Sequence, residues 1–439
     1  MSRRLDVFLS ETHAGVLEEG TDGRVAFLYD ENRVGDDRLP ALSLSMPSTA
    51  RRHGGGTVLN WLWNLLPDRQ YSLDRIAADT SRGFRQVSPG NPMALLEKVG
   101  EDCAGAVQLV RPDRLTVLDQ DQFQPVGDLE IAGMLRELRT GLDVMGRRRS
   151  DRGRFSLPGA QPKTALHLDP STGWGIPSGR LPTTHILKPP IPGIQGQVEN
   201  EHFCLDLAFR LDFAVAPTSV RYFEDEIAIV VTRYDRARLD DGRVARLHQE
   251  DMCQALGVPP SRKYQADKGP GIHAIVSRVL QASLDPQADR SDFMRAVALN
   301  FILGGTDAHA KNYSVFLLGD RLRFAPLYDI NSMVPEGLDP DMRLSMSVDR
   351  HYEFGRILPR HWFAQAAACG MDGDMLLQDI RDLLLRMPDE AAATLSACRT
   401  AGLTTPVLTA LADGLAVRCS RLAEQYGSEE LVRRSALRL

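Results

Sequence analysis

The period of hydrophobicity changes near residue 245, and that change limits what the chain can become. Before it, "RLDVFLS" (4–10) and "RVAFLYD" (24–30) alternate apolar and polar as half-buried strands do, and "LSLSM" (42–46) does so strictly. After it, Leu377, Ile380, Leu384 and Met387 recur at helical spacing, as do Leu411, Leu415 and Leu422. A front part that must pair strands and a back part that must bury helical stripes predict an α+β fold.

The order of elements refines this. "VLNWLWNLLPD" (58–68) reads as a helix stopped before Pro67. "MGRRRSDRGRFSLPGAQPKTALHLD" (145–169) begins as a basic, glycine-containing connector and turns to strand near Lys163. "TTHILKPP" (183–190) is a strand ended by prolines, "VENEHFCLDLAFRL" (198–211) a helix and "IAIVVTRYD" (227–235) an apolar strand. Strand, strand, helix, strand is the order of a small sheet carrying one helix. "SDFMRAVALNFILGG" (291–305) predicts a helix with Ser291 as N-cap and Gly304 as stop. Residues 313–328 read as a hairpin about Gly319–Asp320 inside the helical region. The expected division is residues 1–135, 136–240 and 241–439.

Composition excludes several classes. Of 439 residues, 43% are hydrophobic and 25% charged, a globular balance, and the net charge of −6 argues against non-specific nucleic-acid binding. No window reaches the ~18 apolar residues of a membrane span, and the apolar run at the start is too short for a signal peptide. The cysteines at 103, 204, 253, 369, 398 and 419 are scattered without a C-x-x-C pair, as buried thiols of a reducing cytoplasm would be.

The polar cluster behind Gly304 carries the chemistry. Asp307 and Asn312 stand five apart on a loop that leaves an apolar helix, the spacing that separates a kinase's base aspartate from its metal-binding asparagine. Asp329, after the hairpin, is placed to complete a site of hard oxygens for Mg²⁺. His309 and Lys311 would add donors near phosphates. The same pair also reads as ordinary turn residues, Asp307 capping a turn and Asn312 satisfying loop backbone.

Upstream, Lys188 ends "THILK", where it points inward beside phosphates or stands exposed at a strand end. Glu201 shares a helical stripe with Cys204, Leu205 and Ala208 and needs a cation; Lys188 is the economical partner, with Glu199 competing for it. The loop Ser156–Lys163 is not a Walker sequence; it is either a plain turn or a run of N–H groups for phosphate oxygens. Thr232, Arg233 and Tyr234 stand where an inter-lobe hinge would offer backbone to adenine. The arginines at 147–149, 152 and 154 read as a solvated linker or as an electropositive rim.

Taken in order, "LSLSMP", "NLLPD", "GEDCAGAV", "GAQPKTAL", "PTTHILK", "VENEHFCLDLA", "RYDR", "QEDMCQALG", "KYQADKGPGI", "TDAHAKNYSVF" and "LYDI" resemble the HipA-type serine/threonine protein kinases, toxins of bacterial HipA–HipB toxin–antitoxin pairs. The resemblance implies a two-lobed protein-kinase-like fold. It implies Asp307 as catalytic base and Asn312 and Asp329 as magnesium ligands. It places Pro158, Gly159, Ala160, Gln161, Pro162 and Lys163 on the phosphates, Lys188 on ATP and Thr232–Tyr234 at the hinge. His309, Ala310, Lys311, Asn312, Tyr328 and Asp329 then complete the nucleotide site. Ser156 matches the serine that family members autophosphorylate to expel the phosphate loop; Pro158 and Pro162 would stiffen that loop. The resemblance further implies a HipB-like helix-turn-helix antitoxin, operator DNA reached mainly through it, and a protein substrate, in the best-known case glutamate–tRNA ligase, whose phosphorylation favours dormancy. A corepressor with little catalysis is the alternative class, and a small-molecule kinase a third.

Overall fold

A computed structural model describes residues 3–80, 84–140 and 155–427, and the arginine cluster at 147–149, 152 and 154 lies outside them. The chain forms two compact units. The first comprises residues 1–192, 219–261 and 315–322; the second comprises 193–218, 262–314 and 323–439.

The two larger sheets of the first unit frame its cores. One has strands β1 (Arg3–Leu9), β2 (Thr12–Glu19), β3 (Val25–Tyr29), β4 (Arg52–Gly54) and β5 (Val107–Val110) in the order β4-β3-β2-β1-β5. Helices Gly56–Leu65 and Pro92–Val99 help fill its core with Trp61, Leu62, Leu95 and Leu96. Phe155 and Leu157, either side of Ser156, are buried in the same core. The other sheet has β6 (Gln122–Pro125), β7 (Thr164–Asp169), β8 (Gly173–Ser178), β9 (His185–Lys188), β10 (Thr218–Phe223) and β11 (Glu226–Thr232) in the order β10-β11-β9-β7-β8-β6. Its core gathers Leu166, Trp174, Leu187 and Val230 with Ile131 and Leu135 of the helix Asp128–Thr140.

The second unit is mainly helical, as the 3.6-residue period requires. Leu377, Ile380, Leu384 and Met387 are buried along the helix Gly373–Thr400, and Leu411, Leu415 and Leu422 along Pro406–Tyr426. Helix Pro286–Leu303 runs through this core, and its buried C-terminal carbonyls at Phe301 and Ile302 accept hydrogen bonds from Arg418. It ends at Gly304, whose φ of +69° supplies the left-handed cap. The helix leads into the polar loop, and along the chain the hairpin Ser314–Leu318/Arg321–Phe324 follows, as the sequence predicts, with its residues 315–322 belonging to the first unit.

Two expectations are corrected. The helix begins at Pro286 with Asp285 as N-cap, whose carboxylate accepts from the Ala288 amide; Ser291 is interior, because Pro at the first helical position extends the start upstream. "LSLSM" is no strand. Ser43 and Met46 face each other in a tight turn, the Ser45 amide donates to Ser43 Oγ, and the Leu44 amide donates to buried Glu250 at 2.8 Å. The alternation there serves a serine-bonded turn instead of a pleat.

Candidate functional site

In the second unit, the loop after Gly304 is braced on itself. The Asp307 carbonyl accepts from the His309 amide at 2.8 Å and from Asn312 Nδ2 at 2.8 Å. The second bond fixes the asparagine's flip, so Oδ1 is its other face. Residues 310–312 make one 3-10 turn. Tyr328 Oη donates to the Lys311 carbonyl at 2.7 Å and lies 2.7 Å from Ser314 Oγ. The return strand is pinned by paired backbone bonds, Ala216 N–H to Leu327 O and Leu327 N–H to Ala214 O, each 2.8 Å. Two residues on, Asp329 takes φ +57°, a left-handed conformation that costs a residue with Cβ about 1 kcal/mol and that aspartate tolerates better than most.

Burial sets the electrostatics of this cluster. His309 is 4% exposed; burial pushes its imidazole down to about 4, against the pull of Asp307, so the ring is neutral at pH 7. Its Nδ1 and the Oδ1 of Asn331 are buried without a hydrogen-bond partner among the described residues. Lys311 and Asn312 are buried as well, whereas the Asp307 side chain is 64% exposed. An exposed carboxylate on a fixed backbone, an amide oxygen, a left-handed aspartate and two orphaned polar atoms fit a site for a hard cation and phosphate oxygens.

In the first unit, the loop before β7 is anchored at both ends. Ser156 is buried: its amide donates to the Asp102 carbonyl at 2.9 Å and its hydroxyl to the Leu65 carbonyl at 2.7 Å. Gly159 takes φ +110°, and its carbonyl accepts from the Asp68 amide. Lys163 Nζ donates to the Pro158 carbonyl at 2.6 Å, so the lysine curls over its own loop. A cleft of about 220 Å³ is lined by Tyr71, Ile76, Leu138, Phe155 and residues 159–163. Lys188 is 6% exposed at the end of β9, which excludes the exposed strand-end alternative. In the second unit, Glu199 and Glu201 are both buried on the helix Gln197–Arg210.

Thr232 ends β11, and Arg233 and Tyr234 follow it. The Arg233 amide donates to the Thr184 carbonyl at 2.9 Å. Its guanidinium grips both Asp235 oxygens, at 2.9 and 2.8 Å, and reaches Thr183 Oγ1. Arg236 and Arg246 both bond Asp102 Oδ1 at 3.1 Å, and Thr183 Oγ1 donates to its Oδ2 at 2.6 Å. Burial alone would raise the Asp102 carboxyl, but Arg246, Arg236 and Arg233 hold it well below the usual carboxylate range. Asp102 thus ties Ser156, Thr183 and the 233–246 segment into one buried ionic knot.

Comparison with known proteins decides the family. Residues 155–401 match the HipA-like C-terminal domain and residues 5–110 the HipA N-terminal domain. The chain belongs to the HipA family of serine/threonine kinases. It is 33% identical over 377 residues to "Putative kinase Y4mE" of Sinorhizobium fredii, covering 84% of this chain and 87% of that protein. It is 29% identical over 385 residues to the serine/threonine-protein kinase toxin HipA of Shewanella oneidensis, covering 84% and 83%. The fold matches the Shewanella oneidensis HipA solved with HipB and operator DNA, at a TM-score of 0.81 and 24% identity over 96% of this chain and 98% of that one. The α+β, kinase-like fold of the HipA family is therefore the fold of this chain.

Two residues escaped sequence reasoning. Asp102 lies in "GEDCAGAV" and Tyr264 in "KYQADKGPGI", strings similar to the HipA family that suggest no chemistry by spacing. Tyr264 Oη donates to Asp307 Oδ1 at 2.6 Å. Asp349, His351 and His361 bring three potential ligand atoms within 4.8 Å, the one such grouping among the described residues. The two rings stack at 4.0 Å and 18°, so their lone pairs lie in separate, near-parallel planes, a poor arrangement for sharing one ion.

Proposed function

We propose that this HipA-family kinase transfers the γ-phosphoryl group of magnesium–ATP to a serine or threonine of another protein, with Asp307 as base. The observation that carries the reading is the braced loop: the backbone of Asp307 is fixed by His309 and Asn312 while its carboxylate stays accessible. The carboxylate takes the proton of the acceptor hydroxyl as its oxygen bonds the γ-phosphorus; the bond from that phosphorus to the bridging oxygen breaks and ADP leaves. Asn312 Oδ1 and Asp329 would hold Mg²⁺, which when bound neutralises phosphate charge. Neutral His309, with Ala310, Lys311 and Tyr328, would line the phosphates. Residues Pro158 to Lys163 and buried Lys188 would serve the phosphates, and Thr232–Tyr234 adenine. Because Arg233 spends its amide on Thr184, its part there is to hold the segment. The division at residues 135 and 240 goes with this reading: an N-terminal subdomain, a nucleotide lobe and a catalytic lobe.

Autophosphorylation at Ser156 belongs to the same proposal. Its hydroxyl is buried and donating to Leu65, so the loop must leave its seat before the serine can be modified, and the added charge near −2 would keep it out. A HipB-like antitoxin, with operator DNA held through it, is supported by the solved Shewanella relative. The proposed target is an aminoacyl-tRNA synthetase such as glutamate–tRNA ligase, and the proposed location is the cytoplasm; no helix among the described residues is long and apolar enough to cross a membrane.

The test is phosphoproteomics of cells before and after brief expression of the wild type and of Asp307→Asn. New phosphoserine or phosphothreonine on a discrete target with the wild type alone is expected. Identical phosphoproteomes, with operator binding by an antitoxin still strengthened, would favour a corepressor.

A further inference from the structure

The base carboxylate is more exposed than its task suits. Asp307 has a fixed backbone, but its side chain is 64% exposed. Among the described residues, its carboxylate has a single hydrogen bond, from the phenol of Tyr264 to Oδ1 at 2.6 Å. His309 Nε2 is 3.9 Å from the same oxygen, too far to share the work. Oδ2 is left for another hydroxyl.

The segment that presents Tyr264 is rigid by construction. The Tyr264 carbonyl accepts from the amides of Asp267 and Gly269, both at 3.0 Å. A Cβ on Gly269 would lie 2.0 Å from the Arg262 carbonyl, so only glycine closes this turn. Next in sequence, Gln265 bonds Ser347 twice, Nε2 to Oγ at 2.9 Å and Oε1 from the amide at 2.8 Å. Lys263 O accepts from the Ala310 amide, which ties the turn to the catalytic loop. The phenol ring stands edge-on to His309, centroids 5.1 Å apart at 81°.

We propose that Tyr264 is the positioning residue of the phosphoryl-transfer site: its hydroxyl pins Asp307 Oδ1 so that Oδ2 meets the acceptor hydroxyl. The inference rests on the reading of Asp307 as base. Tyr264 keeps its own proton throughout; the proton leaving the acceptor goes to Oδ2. Fixing a base within reach of its proton is part of the ~10²–10⁴-fold that such a group contributes, and loosening it costs rate without touching the nucleotide.

The test compares the full chain with Tyr264→Phe, which keeps the ring against His309 and removes only the hydroxyl, and with Asp307→Asn. Transfer of label from γ-labelled magnesium–ATP to the protein itself gives the rate, and a fluorescent ATP analogue gives nucleotide affinity. The expected result is about a tenfold slower transfer in Tyr264→Phe, with affinity within about twofold of wild type. Transfer as fast as wild type would overturn the inference while an inactive Asp307→Asn kept the base. Faster transfer would mean that the phenol blocks the acceptor's place, which also overturns it. Loss of affinity in step with rate would mark a merely structural tyrosine. An active Asp307→Asn would instead remove the base reading itself.

Discussion

Asp307→Asn keeps the shape of the side chain and both bonds to the residue's carbonyl, so the fold should survive while the proposed proton acceptor is lost. Label transfer from ATP should fall by at least ~10²-fold with an unchanged melting temperature. At this scale the sequence shows which polar residues share one loop, and the structure shows how two of them meet. Asp307 and Asn312 stand out because a loop of fixed length must join them, and the structure joins them by a side-chain bond to backbone. Tyr264 was not legible: it comes from 43 residues upstream, and a tyrosine in a loop advertises nothing until the turn that aims it is seen.

Among the elements, strands and helices were read correctly where one hydrophobic period lasts. The reading failed where short polar residues compete with the period, at the serine turn of residues 42–46 and at the N-terminus of helix Pro286–Leu303. It was silent on the ionic knot, since Asp102 meets Arg236 and Arg246 across more than 130 residues. Asp102→Ala leaves three arginines around an empty place and should cost ~3–5 kcal/mol in a urea titration. Glu250, beneath the serine turn, is pushed up to about 8 by burial and is neutral in the fold at pH 7. Its raised pKa contributes stability below its unfolded value near 4.5 that is lost as pH rises toward 8. Relative to wild type, Glu250→Gln should therefore become more favourable between pH 5 and pH 8, measured by denaturation at both.

For the whole molecule, buried and half-buried histidines set the opposite trend at acid pH. Burial pushes His185, His248 and His309 each down to about 4. Between pH 6.5 and 4 the unfolded chain takes up protons at these positions and the folded chain does not, so stability falls as pH falls through that window. Glu250 offsets one of the three protons. The melting temperature should drop steadily from pH 7 to pH 4.5, and His248→Gln should flatten that slope. A crystal grown with a non-hydrolysable ATP analogue and Mn²⁺ tests most directly whether Asn312 and Asp329 hold the proposed cation. An anomalous peak bonded to Asn312 Oδ1 and the Asp329 carboxylate, beside the analogue's phosphates, is the predicted result. A bound analogue whose manganese touches neither residue would contradict the account.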